Sequence, residues 1–238
     1  MPKQPLLRIF LILYEMNIRK VFQIFMLLLV SGYLLSLVIL PDKMINKIIR
    51  EGGPLETAQV ILYLAGGMIA WVYARGRVWA DGFSGSIILL LFAMRELDLQ
   101  KKFTGISITR TKYYFNSDAP LSSKIFFGII ICGLILFVLY FLIRNAKPFF
   151  RALQSGAAWA RSALAGLASI LLANLVDSSP RLLNTFGLDL SQQAVFYKTA
   201  GEELCELAIP FFFLNALLLY GQSKFPESSC RNIPPENG

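Results

Sequence analysis

The chain has 238 residues, 55% of them apolar and only 16% charged, with a mean hydropathy of +0.57. Ordinary soluble domains carry about a quarter charged residues, so the balance excludes a typical soluble fold and points to a membrane. The net charge of +8 is spread over every loop, as membrane flanks require for their own reasons, which argues against nucleic-acid binding.

Residues 6–14 are apolar but too short to cross a bilayer, and they suit the interface or an extension of the first helix. Apolar runs of about 20 residues, the length that spans hydrocarbon as a helix, follow at roughly 21–40, 55–74, 83–100, 124–143, 159–177 and 198–220. They predict an all-α integral membrane protein, a single bundle of six transmembrane helices forming one domain over 1–220. The first run is too long for a signal-peptide core and no Ala-x-Ala-like site follows it, so it is expected to stay as an anchor. Between the first two runs, Lys43, Lys47 and Arg50 fall on one helical face, with Met44, Ile45, Ile48 and Ile49 away from it. That spacing predicts a short interfacial helix near 43–50. Pro54 then suits the first turn of the second crossing.

The second run carries Gly66, Gly67 and Ala70, and the fifth carries Ser162, Gly166, Ser169 and Ala173 at helical spacing. Small residues on one stripe let another helix approach closely. Continued to its end, the fifth stripe is expected to aim Asp177 at the bundle interior, with Pro180 ending the helix soon after. Between the third and fourth runs, basic residues mix with Tyr113, Tyr114 and Phe115. This loop reads as a headgroup-layer anchor or, more sharply, as a lid over an anionic headgroup. Residues 221–238 are rich in Pro, Ser, Asn and Glu and predict a disordered cytoplasmic tail.

Orientation follows from the basic residues. With the amino terminus inside, twelve Lys and Arg face the cytoplasm and eleven face out, so the raw count barely separates the alternatives. Arg19 and Lys20 immediately before the first run favour both termini in the cytoplasm, in a bacterial cytoplasmic (inner) membrane.

The strongly ionisable residues then sort by chain parity. Glu56 opens the second run; Arg95, Glu96 and Asp98 close the third; Asp177 closes the fifth; Glu202, Glu203 and Glu206 open the sixth. Starts of even crossings and ends of odd ones share one membrane face, so these residues are expected to form one polar site near the outer surface. Glu56, Glu202 and Glu203 are read as supporting residues, since helix dipoles favour acids in first turns. Glu96, Asp98, Asp177 and Glu206 are the candidates for catalysis or metal binding, because acids at helix carboxyl ends, or a turn beyond the amino end, need another source of compensation. Arg95, Lys101, Lys102, Arg110 and Arg181 are the candidate substrate-binding residues, suited to a phosphate group.

Converging carboxylates suit a hard divalent cation such as Mg or Ca, or can split their pKa values into an acid and a base. Histidine is absent, and Cys132, Cys205 and Cys230 are widely spaced, so no His/Cys zinc site is expected; nor is a haem, flavin or nucleotide. Multi-pass hydrolases of the alkaline ceramidase type also gather acids near one face, but they hold zinc with histidines, which excludes their metal site here. The composition leaves three functions open: an enzyme acting on a phospholipid or lipid-linked phosphate headgroup, a structural or assembly subunit held by ion pairs, and a proton- or cation-coupled transporter. The expected partners are the lipid bilayer and an anionic headgroup.

Overall fold

The computed structural model describes residues 18–39, 44, 45, 48, 52–76, 79–97, 111–116 and 120–224. Among them the chain is all-helical, with no strand. The helices are α1 (Ile18–Ile39), α2 (Pro54–Gly76), α3 (Trp79–Glu96), α4 (Thr111–Asn116), α5 (Leu121–Gln154), α6 (Ala158–Thr185) and α7 (Gln192–Lys224). Most of the interfacial helix expected at 43–50, the tail beyond Lys224, and Asp98, Lys101, Lys102 and Arg110 lie outside the described residues.

Among the described residues, four helices are long and apolar enough to cross a membrane: Pro54–Tyr73 within α2, α5, α6, and Gln192–Ser223 within α7. The apolar part of α1, Met26–Ser36, is shorter, and α3 has 18 residues closed by Arg95 and Glu96. Several boundaries differ from expectation. Helix α3 ends at Glu96 rather than near residue 100, whereas α5 runs eleven residues beyond 143 and α7 begins at Gln192, six residues before 198. Polar ends of helices lower local hydropathy without weakening the backbone ladder, so an apolar window underestimates their length.

Helix α6 continues through Pro180 to Thr185. Proline removes the N–H that would bond the Val176 carbonyl. The Ser179 hydroxyl donates to that same carbonyl at 2.7 Å, so the helix passes the proline without an orphaned acceptor. The end comes instead at Gly187, whose φ of +72° suits glycine and closes the turn after Thr185.

The helices group into two compact units, one holding α1, α6 and α7 and the other α2 to α5. In the first, α6 and α7 are an antiparallel pair. Trp159 packs edge-on against Tyr220, Ser162 donates to the Phe212 carbonyl at 2.9 Å, Gly166 lies under the Phe213 ring, and Asp177 reaches Lys198. Ala160, Ser162, Gly166, Ser169 and Ala173 are the buried residues of α6, so the small-residue stripe is the packing face. Helix α1 joins through the buried Tyr33, whose hydroxyl donates to the Ala200 carbonyl at 2.9 Å.

In the second unit α2 and α3 form the corresponding antiparallel pair. Ser86 donates to the Gly67 carbonyl at 2.9 Å, Ala70 meets the backbone at Gly85, and Tyr63 stacks on Phe92 with centroids 5.4 Å apart. Helix α4 places the buried Tyr113 edge-on to Phe127 of α5, and Tyr114 lies against Gly128. Helix α5 itself has no buried residue and presents Ile129, Leu136 and Ile143 outward. At 34 residues it is about 51 Å long, well beyond a hydrocarbon core of about 30 Å. No acidic residue interrupts it, and its far end carries Arg144, Lys147 and Arg151.

The two helix surfaces should respond differently to added bulk. A Cβ at Gly166 would sit 3.0 Å from the Phe213 ring, whereas one at Gly133 of α5 would meet nothing within 4 Å. Gly166→Leu is expected to destabilise by about 1–3 kcal/mol through overpacking. Gly133→Leu should be neutral or slightly stabilising, since glycine costs a helix about 1 kcal/mol relative to a good former. Thermal unfolding of the two variants in the same detergent checks this contrast.

Candidate functional site

The ionisable residues of α6 and α7 meet through a lysine. Lys198 lies one turn before Glu202 on α7 and opposite Asp177 on α6; its Nζ is 2.5 Å from Glu202 Oε2 and 3.4 Å from Asp177 Oδ1. Its side chain is 15% exposed, against 21% for Glu202 and 54% for Asp177. Asp177 is therefore not turned into the helix pair as its spacing from Ala173 suggests. A four-residue step advances about 40° past a full turn, so Asp177 lies that far round from the buried Ala173, at the edge of the packing face. The Asp177–Arg181 pairing that the sequence allows is replaced by Asp177–Lys198, and Arg181 is exposed.

The helix-dipole explanation for Glu202 and Glu203 also changes. Helix α7 begins at Gln192, so both acids stand about three turns inside it, beyond the reach of the terminal dipole. Lys198 supplies the compensation for Glu202 instead. Glu203 and Glu206, both partly buried, each have an interaction of their own. Lys198 was not among the residues singled out from the sequence. Its signal was the four-residue spacing to Glu202, in the less favourable order with the base amino-terminal.

At the α2–α3 pair Glu56 does act at a helix terminus. The Gly52 N–H donates to Glu56 Oε2 at 2.5 Å, and the Thr57 hydroxyl donates to the Gly53 carbonyl. Gly52 has a φ of +76°, which lets the chain turn into the helix. At the same end of the pair, Arg95 is exposed in the last turn of α3, where the dipole favours a base, and Glu96 beside it is partly buried. Both have interactions of their own.

Between these acids lies a residue the sequence reading passed over. Gln59 is only 1% exposed, and its Nε2 has no hydrogen-bond partner. It precedes Tyr63 by one turn and so shares the face that meets α3. Since Tyr63 stacks on Phe92, the antiparallel register sets Gln59 against the next turn of α3, the level of Ala93 and Glu96. Buried polar side chains are normally bonded, and an orphan amide in an apolar surround costs about 1–3 kcal/mol.

The described residues contain no group of three or more His, Cys, Asp or Glu side chains placed to hold a metal ion. Asp98 lies outside them, so the divalent-cation expectation is carried forward without a ligand set. No protein-family model, curated protein or solved structure matches the chain. The helices show a membrane protein; its chemistry must be argued from the residues alone.

A double-mutant cycle resolves the lysine bridge. Because Asp177 is more than half exposed, its coupling to Lys198 is expected below about 1 kcal/mol. The less exposed Glu202 should couple more strongly, and Lys198→Met should cost more than Asp177→Asn, since it leaves a partly buried carboxylate without its cation. Unfolding free energies of the single and double variants provide the measurement.

Proposed function

We propose that this is a six-crossing integral membrane protein, probed most directly at its α2–α3 end, that acts on a phospholipid or lipid-linked phosphate headgroup. The single observation that carries the proposal is Gln59, a buried amide donor without an acceptor, set by the Tyr63–Phe92 register at the helical level of Glu96. Buried amide donors are normally bonded, and an oxygen-bearing ligand would supply the acceptor that this one lacks. Arg95 would orient the phosphate, with Lys101, Lys102 and Arg110 meeting the headgroup from the following segment. Glu96 and Asp98 would serve as acid and base or help to hold a divalent cation such as Mg or Ca. Asp177 and Glu206 remain candidates on their own helices, with Arg181 near the end of α6 as a further phosphate-binding candidate.

A specific observation favours a second reading for α6 and α7. Lys198 between Asp177 and Glu202 is what a structural ion-pair network requires, and it fits an assembly subunit as well as an enzyme. A transporter finds less support, since transport paths place ionisable groups at several depths near broken helices.

Separate Glu96→Gln, Asp98→Asn and Glu206→Gln variants, read by cellular lipid composition at matched protein levels, distinguish these functions. The enzyme reading expects at least one to change the lipid profile by tenfold or more while the protein accumulates normally. Normal profiles and normal levels in all three would sink it; loss of the protein itself would favour the structural role.

Topology is tested independently. Single cysteines placed at residues 77 and 157 in a background lacking Cys132, Cys205 and Cys230 should be labelled from the cytoplasmic side, and one at residue 105 from the outside. Labelling of all three from one side would reject six crossings with cytoplasmic termini.

A further inference from the structure

The sequence places acids at the open end of α2 and α3, but acids alone define no ligand. The orphan donor of Gln59 does. Its side chain is on the α2 face defined by Tyr63, Gly67 and Ala70, each of which touches α3. On α3 the matching face runs through Gly85, Ser86, Leu89 and Ala93 to Glu96, with Leu89 and Ala93 buried. One turn deeper, the stacked rings of Tyr63 and Phe92 close the space between the helices. The Gln59 N–H, one turn from that ring pair and without an acceptor, is available to a ligand oxygen. That raises affinity because the donor has no competing bond to break.

We infer that Gln59 Nε2 is the fixed donor of a phosphodiester-binding site, donating to one phosphate oxygen of a phospholipid while Arg95 supplies the opposing charge. This deepens the headgroup proposal above and rests on it for the choice of ligand. The chemistry decides between candidate acceptors. A carboxylate ligand would approach Glu56 and Glu96 with like charge, as would a phosphate, but only the phosphate offers oxygens in several directions. It can therefore meet the amide and a guanidinium together. The same oxygens occur on soluble glycerol phosphate, so the ligand's source is an outcome of the test.

The full chain, purified in maltoside, is titrated with short-chain phosphatidylglycerol and, separately, with glycerol phosphate; affinity and thermal midpoint are read for wild type, Gln59→Leu and Gln59→Met. Wild type should gain thermal midpoint with added phosphatidylglycerol. Both variants should bind it about tenfold to a hundredfold more weakly, the loss expected for one hydrogen bond to a charged acceptor. Without lipid they should unfold at the wild-type temperature or higher, since an unpaired buried amide has been removed. Equal stabilisation by glycerol phosphate would assign the site to a free phosphate ester rather than a lipid. Unchanged affinity in both variants, or a lower midpoint without lipid in both, would overturn the inference, the latter because Gln59 would then be a structural residue. Glu96→Gln separates this from the enzyme reading: retained binding with lost turnover supports both, whereas Gln59-dependent binding with no effect of any acid on lipid composition leaves a binding site without the reaction.

Discussion

Close backbone approach is the constraint on which both helix pairs depend. In lipid, helices gain nothing by hiding apolar side chains from one another, because hydrocarbon surrounds them already. Association must come from dispersion contacts between surfaces that fit, and from hydrogen bonds that an apolar surround leaves no alternative for. Both pairs use these means together. In α6–α7 the Gly166 backbone meets the Phe213 ring while Ser162 donates to the Phe212 carbonyl; in α2–α3 the Ser86 hydroxyl reaches the Gly67 carbonyl and Ala70 meets Gly85. A serine donating to a carbonyl on the neighbouring helix is possible only where small residues let the helices come near. Packing and bonding are here one property. Helix α5 is the counter-example, with bulky aliphatic residues on every side, no buried residue and no need of a stripe.

That close approach fixes where the polar groups lie. Once Tyr63 is stacked on Phe92, the register carries Gln59 to the level of Glu96; once Ser162 is set on Phe212, it carries Asp177 to Lys198. The ends of the pairs are thus positioned by contacts several turns away. The outcomes differ in chemistry. At α6–α7 a cation with two carboxylates satisfies itself, and the partial exposure of all three limits the cost of holding charge. At α2–α3 the Nε2 of an enclosed amide is unbonded, as is Asn215 Oδ1 at α6–α7. Ion pairing accounts for the first arrangement and leaves the second without an internal explanation.

Apolar length and small-residue spacing made much of the fold legible. The stripe Ser162, Gly166, Ser169 and Ala173 was read as a packing face and is one, because helical periodicity determines which residues share a side and only small ones permit contact. Glu56 was read as a terminal acid and accepts the Gly52 N–H. What hydropathy could not supply was the true extent of each helix. Ser179 carries α6 past Pro180, and Gln192 opens α7 well before its apolar part, so Glu202 and Glu203 lose the terminal position that had explained them. Lys198 escaped notice because its importance comes from Asp177 across the pair, a relation that spacing along one helix cannot express. Gln59 escaped for a similar reason: an uncharged polar residue in an apolar run reads as tolerable until its face is known.

The partial failure of the Asp177 expectation has a cause that also bears on Gln59. Each four-residue step moves about 40° round the helix, so a residue one step beyond the packing face can lie at its edge or within it. Asp177 stands at the end of the α6 stripe, fifteen residues from Ser162, and is more than half exposed. Gln59 stands one such step from Tyr63, as Asp177 does from the buried Ala173, so the difference between them comes from the partner helix: Lys198 holds Asp177 at the edge of its pair. Gln59 keeps all but 1% of its surface buried. The same helical step leaves an acid at the edge of one helix pair and retains an amide in the other, and a retained donor without an acceptor is the more demanding condition.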